Sequence, residues 1–514
     1  MLLTLIRKEF LLNLMTARFS VAVILCETLI ISSAFILRGE VLQRQEQYVK
    51  NVQSHNEMLE RIKVFSQLRP IVDRPPSPLG FMCIGVEREV GDAAVISYDD
   101  VPHELLSLQG GGNPLLAVFS PIDVARVIQV ILSLLAVLLV YDSISGERER
   151  GTLSLSLSNP LSRGKLMVGK YLGGMATLTA SLLFGLLTGL LVVILLPYLP
   201  LSGEDWARIG LIFLSSLLYL SFWTSLGLFI SARSSRSSTS LMVSLFLWLL
   251  LVVLLPDGMR YLARQIRPID DRSTVDAKVE ALNREMWERI WKEARGHERP
   301  KDLWRFMEGS IWSGDLPYAL TIHYAPRENL IWYLEGIRFI MPLKLEYARR
   351  KWEVYMEYER ELRQQRSLSD ALASLSPGWL FYRISEIFTG TDPDLRSRFM
   401  DQIRRYREEI IEYARRNDGL TSLKHFTRMN LDEAPTYAQL VEMERRSGRK
   451  AVVEYLSRWW RKAQPLRDIP RFTYKREKLG RAVVQASFGM MILAVLNLLF
   501  FLAGFVTFVR RPVR

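Results

Sequence analysis

The stretch Leu134-Leu135-Ala136-Val137-Leu138-Leu139-Val140-Tyr141-Asp142-Ser143-Ile144-Ser145-Gly146-Glu147-Arg148-Glu149-Arg150-Gly151-Thr152-Leu153 passes within a few residues from an unbroken apolar run to dense alternating charge. A second basic cluster, Arg163-Gly164-Lys165, follows, and then another long apolar run begins. Ionised side chains are costly in hydrocarbon, so a charged segment held between two such runs lies at a membrane surface in water, where a soluble partner can grip it. The chain reads as a membrane protein driven by something outside the bilayer.

Apolar runs recur through the chain. Those at residues 19–37, 124–141, 171–196, 209–231, 239–255 and 482–509 approach the roughly 20 residues a helix needs to cross about 30 Å of hydrocarbon. Six such runs, nearly free of charge, argue against the buried core helices of a soluble protein. The expected fold is an all-α integral membrane protein with six transmembrane helices. A large, mainly helical extracytoplasmic domain (257–480) is expected between helices 5 and 6, and a smaller α+β extracytoplasmic segment (38–123) between helices 1 and 2. Composition agrees: 24% of the 514 residues are charged while mean hydropathy is slightly positive, which separate polar and apolar regions produce. Cys26 lies in the first run and Cys83 in the polar segment after it, so the two cannot meet in a disulfide. Ser32-Ser33-Ala34 loosely resembles a cleavage site, but the apolar run continues through Phe35-Ile36-Leu37. Residues 1–18 are amphipathic and basic, so the start reads as an interfacial helix before an uncleaved anchor.

Short connections orient the chain. Arg7, Lys8 and Arg18 precede the first run, and Arg148, Arg150, Arg163, Lys165 and Lys170 fall in the loop 142–170. Arg233 and Arg236 lie between runs four and five, and Arg510, Arg511 and Arg514 close the chain. With six crossings all four places share one side, which places both termini in the cytoplasm and the protein in the plasma (inner) membrane. The large polar region has 224 residues, a domain's length. Helical patterns cover 275–295, 343–366 and 396–416, with breaks at Pro300, Pro317, Pro326, 376–378 and 390–393. Residues 445–480 carry 12 basic and 3 acidic side chains. That stretch either lies against anionic headgroups or forms a solvated surface. Nine of the twelve tryptophans (Trp287, Trp291, Trp304, Trp312, Trp332, Trp352, Trp379, Trp459 and Trp460) are in this region. They suit core packing and the membrane interface, with an aromatic platform for a sugar or lipid as the alternative. In the smaller region, 41–65 reads as a helix and 85–98 as a short hairpin.

Catalytic constellations are missing. Arg163-Gly164-Lys165-Leu166 lacks the first glycine and the hydroxyl of a phosphate loop, so the chain has no ATP site of its own. Histidines 55, 103, 297, 323 and 425 are scattered, no serine-nucleophile motif occurs, and no metal or cofactor is implied. Glu27, in mid-span, either contacts a substrate or proton or bonds two helices together. Arg126, one turn from Asp123, either snorkels or pairs locally. Gly185 and Gly189 offer a close-packing face, within the chain or between chains.

Six spans, an amphipathic N-terminal helix with Arg7-Lys8-Glu9-Phe10, and Ser145-Gly146-Glu147-Arg148-Glu149-Arg150-Gly151-Thr152-Leu153 followed by Asn159-Pro160-Leu161-Ser162-Arg163 and Gly169-Lys170-Tyr171-Leu172 resemble the permease subunit of type-two ABC exporters. Residues 376–381 through Gly390-Thr391 and Phe399-Met400-Asp401-Gln402 look like the outer domain of a subgroup with large extracytoplasmic insertions. The resemblance implies a second permease copy or paralogue, and separate cytoplasmic ATPase subunits that hold ATP and magnesium. The loop 142–170 would enter a groove on the ATPase as a coupling helix, with Glu147, Arg148, Glu149, Arg150, Gly151 and Thr152 as contacts. Independently, the four alternating charges offer pairs for a salt-bridged socket, and Gly151 permits a sharp turn. Membrane lipids, and a protein on the extracytoplasmic side, complete the expected partners; nothing calls for nucleic acid. The alternative function is a mechanical transmitter or assembly scaffold without transport.

Overall fold

The computed structural model describes residues 2–98, 100, 105–106, 123–154, 162–194, 201–311 and 318–510. Asn159-Pro160-Leu161, His103, Trp312, Pro317, Arg511 and Arg514 lie outside the described residues. After a short amphipathic helix, α1 (Leu2–Leu14), the Thr16 hydroxyl accepts from the Phe19 amide and caps α2 (Ala17–Glu60). The first apolar run and the helix expected at 41–65 are thus one rod of 44 residues, about 66 Å long at 1.5 Å per residue. Gly39 at the junction does not stop it, because a single glycine costs a helix only about 1 kcal/mol.

The second membrane helix, α3 (residues 124–140), starts at the Asp123 cap and contains a π turn at Ile128–Leu132. A short helix α4 (Ser145–Glu149) follows, then α5 (Arg163–Ile194) and α6 (Gly203–Arg233). Ser202 and Asp205 open α6 with a capping box. The fifth, α7 (Ser237–Ile266), holds a second π turn at Leu250–Leu254. The large domain contributes α8 (Arg272–Ala294), α9 (Arg327–Ala373), α10 (Pro377–Thr389), α11 (Leu395–Arg416) and α12 (Tyr437–Lys462), and α13 (Leu479–Arg510) ends the chain. Six helical stretches among the described residues are long and apolar enough to cross a membrane: those of α2, α3 with α4, α5, α6, α7 and α13.

Burial separates a centre from a periphery. The most apolar windows of the second and fourth spans are 72% and 67% buried, against 17% for α7 and α13, which turn Phe246, Phe488, Val495 and Leu498 outward. Asn497 of α13 holds α6 by bonds with Ser221 and Ser225 at 2.5 and 2.6 Å. Gly185 and Gly189 of α5 face α2, where added Cβ atoms would come 2.7 and 3.3 Å from Ile30. The close-packing face therefore works within the chain.

Both polar regions depart from the sequence reading in detail. Residues 85–98 form no hairpin of their own. Instead β1 (Ile71–Asp73) pairs antiparallel with β2 (Ala93–Val95), because Pro75-Pro76-Ser77-Pro78 ends β1 and the chain needs the turns after it to come back. In the large domain α9 runs 47 residues through Pro342, and a second antiparallel pair, β3 (Glu308–Ile311) with β4 (Ala319–Tyr324), joins the helices. Its core holds Trp332, Tyr333, Tyr347, Phe399 and Phe426, while Trp291 and Trp304 stay at the surface. The larger correction concerns α10. Leu380, Phe381, Ile384 and Phe388 belong to the membrane core, with residues of α3, α6 and α13, and not to the distal one. Thirteen residues are too few to span hydrocarbon, so the sequence gives no sign that this apolar helix leaves its domain.

Candidate functional site

Helix α4 lies where the starts of α5 and α7 meet the end of α6. Ser231 Oγ of α6 accepts from the amides of Ile144 and Ser145 at 3.1 Å each. Lys170 of α5 is buried, with its ammonium 2.8 Å from Glu147 and 3.1 Å from Glu9 of α1. Arg148 donates to the carbonyls of Ala232 and Ser234 at 3.3 and 2.7 Å, at the C-terminal end of α6 where a cation suits the helix dipole. Glu149 accepts from the Ser237 amide and hydroxyl at 2.9 and 2.6 Å, at the N-terminus of α7 where an anion suits it. Arg150 folds back onto Gly146 O at 3.1 Å. Gly151, with φ +72°, turns the chain as a residue with a Cβ does only under strain.

The four charges expected to offer pairs outward are therefore largely engaged inside the chain. Successive residues of a helix point to different sides, so alternation in sequence does not tell which charges face a partner. The exposed rim consists of Glu149, Arg150, Gly151, Thr152 and Ser154, with Leu153 buried beneath it. Lys170, one of the charges used for orientation, is an internal ion-pair partner. No motif announces the Glu9–Lys170–Glu147 triad; only the Lys170 position, at the edge of an apolar run, hinted at burial.

The far end of the bundle holds a second constellation, built on α10. Its Ser376 cap bonds the Trp379 amide at 3.0 Å and also Leu251 O, inside the π turn of α7. Gln129, inside the π turn of α3, donates to Gly378 O at 2.9 Å, and the Gln129 carbonyl accepts from Tyr219 at 2.8 Å. A π turn shifts the regular i to i−4 ladder, and here side chains take up carbonyls within both turns. The Tyr219 ring stacks on Phe381 with centroids 4.8 Å apart. Tyr382 donates to Asp123 at 2.9 Å, and the same carboxylate oxygen accepts from the Ile84 amide at 3.0 Å. Arg126 pairs locally: its guanidinium lies 3.7 Å from the Tyr382 ring centre and donates to Gln129 at 2.9 Å.

Charge pairs continue from α10 into the large polar domain. Arg208 of α6, fully buried, donates to Phe388 O and Glu477 O at 2.9 and 2.5 Å, and Arg476 pairs with Asp205. Arg398 bridges Asp392 at 2.6 Å and Glu477 at 3.2 Å, while Arg383 lies 3.4 to 3.7 Å from Glu386, Asp394 and Asp370 of α9. Burial pushes the Glu386 carboxyl up to about 7, against the pull of Arg383 and with the push of Asp392. Arg208 and Arg476 escaped the sequence reading because their partners lie far away along the chain. Glu27 accepts from Thr188 of α5 at 3.0 Å, so a bond between helices is present. Cys26 and Cys83 are both buried free thiols, so a thiol reagent cannot report sidedness through Cys83. Among the described residues no group of three His, Cys, Asp or Glu could hold a metal ion.

A family model described as ABC-2 family transporter protein matches residues 3–513. The chain belongs to this family. It is an integral-membrane ABC-2 permease with extracytoplasmic insertions. The permease is 36% identical over 124 residues to a probable ABC transporter permease protein NosY of Pseudomonas aeruginosa, a match over 24% of this chain and 45% of that protein. A protein of the same description from Stutzerimonas stutzeri is 31% identical over 132 residues, 26% of this chain and 48% of the relative. The permease spans about half the length of the curated relatives it matches.

Proposed function

We propose that this permease couples ATP hydrolysis on separate cytoplasmic ABC subunits to export, with the α4 face and both termini in the cytoplasm and the two polar domains outside. The observation that carries the proposal is the wiring of α4. Its three consecutive charged residues reach α1 and α5 through Glu147 and Lys170, the end of α6 through Arg148, and the start of α7 through Glu149. A push on the exposed rim at Arg150 to Ser154 is thereby shared among four helices. ATP and magnesium belong to the partner. A second permease copy or paralogue would cover the outward apolar faces of α2, α7 and α13, which lipid covers elsewhere.

The test is a reconstituted complex carrying Glu147→Ala with Glu149→Ala. The chain alone should show no ATPase activity, and the double variant should lose transport-linked turnover while still assembling. Wild-type substrate-stimulated turnover in the double variant would refute the coupling role.

A second reading, a transmitter that moves an extracytoplasmic partner without transport, is favoured by α10. That helix fills the distal end of the bundle and continues by ion pairs into α9, itself about 70 Å long. A species translocated in proteoliposomes supports export. ATP-dependent movement of α9, read by spin-label distances, with nothing translocated supports the transmitter.

A further inference from the structure

The basic stretch before the last span has a place in the fold that the proposed coupling does not use. A cavity of about 710 Å³ opens in the large domain, between the end of α11, the loop carrying Lys424 and Arg428, the end of α12 and the strap 463–468. The strap is fixed against the end of α2 by Leu466 N to Ile62 O at 2.7 Å. Five cations line the cavity, Lys424, Arg428, Arg458, Lys462 and Arg467, against the carboxylates of Glu433 and Asp468.

These cations differ from those on the solvated helices of the same domain. Arg415 and Arg416 each pair with Glu412 at 2.9 Å, and Arg446 pairs with Glu442 at 2.6 Å. In the cavity, none of the five has an ion pair among the described residues. Lys424 reaches only the Asn417 carbonyl at 3.3 Å, and Arg458 lies over Tyr455 and Trp459 at 4.0 and 4.2 Å. Arg428 Nε is buried with no hydrogen-bond partner, and burial lowers the pKa of that guanidinium. Lys424, Arg458, Lys462 and Arg467 are exposed, so their charge is open to the cavity, where an anion would supply acceptors. Arginine forks match carboxylate and phosphate oxygens in particular.

The walls add a second requirement. Tyr413 and Trp459, both half-buried, offer aromatic surface beside the cations, which suits a ring-bearing body. The volume falls within the ~300–1,000 Å³ of small-molecule sites. Length along the chain favours one source of anion: beyond Leu37, where the apolar run ends, α2 continues for about 35 Å to the end that holds the strap, which favours a soluble anion over lipid headgroups. We infer that this cavity binds a soluble organic anion of monosaccharide to nucleotide size, carrying phosphate or carboxylate on a ring.

The test uses the full chain in detergent and isothermal titration with glucose 6-phosphate and glucuronate, with inorganic phosphate and neutral glucose as comparisons. At least one ring anion should bind, at least tenfold more weakly when salt rises from 50 to 500 mM. Lys462→Gln with Arg467→Gln, both exposed and away from the packed core, should weaken binding at least tenfold with an unchanged melting midpoint. Arg428→Gln should do the same, and the exposed pair decides the matter if Arg428→Gln fails to fold. Absence of binding by both ring anions, binding untouched by the double variant, or equal affinity for inorganic phosphate would overturn the inference.

Discussion

Lys170 shows how one side chain can hold a cytoplasmic assembly together. Its ammonium is enclosed with two carboxylates, and removing one member of a buried ion group commonly costs about 3–5 kcal/mol because the others stay charged without a partner. Lys170→Met should lower the melting midpoint in detergent by several degrees. Adding Glu9→Gln and Glu147→Gln to it should restore much of the loss, since the orphaned charges are gone. A triple variant no better than the single one would mean that lysine packing, not charge, is what matters.

Glu386 makes a pH prediction with a definite sign. Its folded value, about 7, lies above the ordinary 4.5, so the folded protein binds a proton that the unfolded chain releases between these values. The resulting stabilisation is complete below about 4.5 and is lost as pH rises through 7. Each unit of such a shift corresponds to about 1.4 kcal/mol, so the slope is a few kcal/mol at most. Glu386→Gln should flatten the melting midpoint between pH 5 and 8 and raise it at pH 8. An unchanged slope would show that another group titrates there.

Among the elements, α10 carries the clearest expectation. It is held at its start by Ser376 and Gln129 and at its end by Arg208. Arg208→Met would leave the buried Phe388 carbonyl without this donor, at about 1–3 kcal/mol, and would also free the half-buried Glu477 carbonyl. If opening is local, amide hydrogen exchange over residues 377–389 should rise roughly tenfold or more, at about 1.4 kcal/mol per factor of ten. Equal exchange in the variant and the parent would mean that the apolar contacts of Leu380, Phe381 and Ile384 hold α10 alone. The rod α2 teaches a related lesson: its two halves were legible as helices, but their fusion depended on the absence of a stop at Gly39.

For the whole molecule, sidedness is the prediction that matters. In a background lacking Cys26 and Cys83, an impermeant maleimide should label Arg415→Cys in intact cells. It should label Thr152→Cys only after permeabilisation. Both positions are exposed in the chain, and the Thr152→Cys measurement is made without the ATPase subunits, which would cover that rim, so that silence reports topology. The reverse pattern would invert the orientation and with it the proposed attachment of the ATPase.

The sequence by itself determined the six apolar helices, the two polar insertions and the position of the charged loop, because hydrocarbon thickness and the cost of buried charge act on contiguous residues. It also marked 376–381 as notable and 445–480 as basic. Tertiary structure decided what those marks mean. Whether Glu147 faces a partner or Lys170, whether α10 packs with its own domain or among α3, α6 and α13, and whether basic residues stand apart or line one cavity all depend on contacts between residues up to hundreds of positions apart. Such contacts are set by helix rotation and packing, which local pattern does not encode.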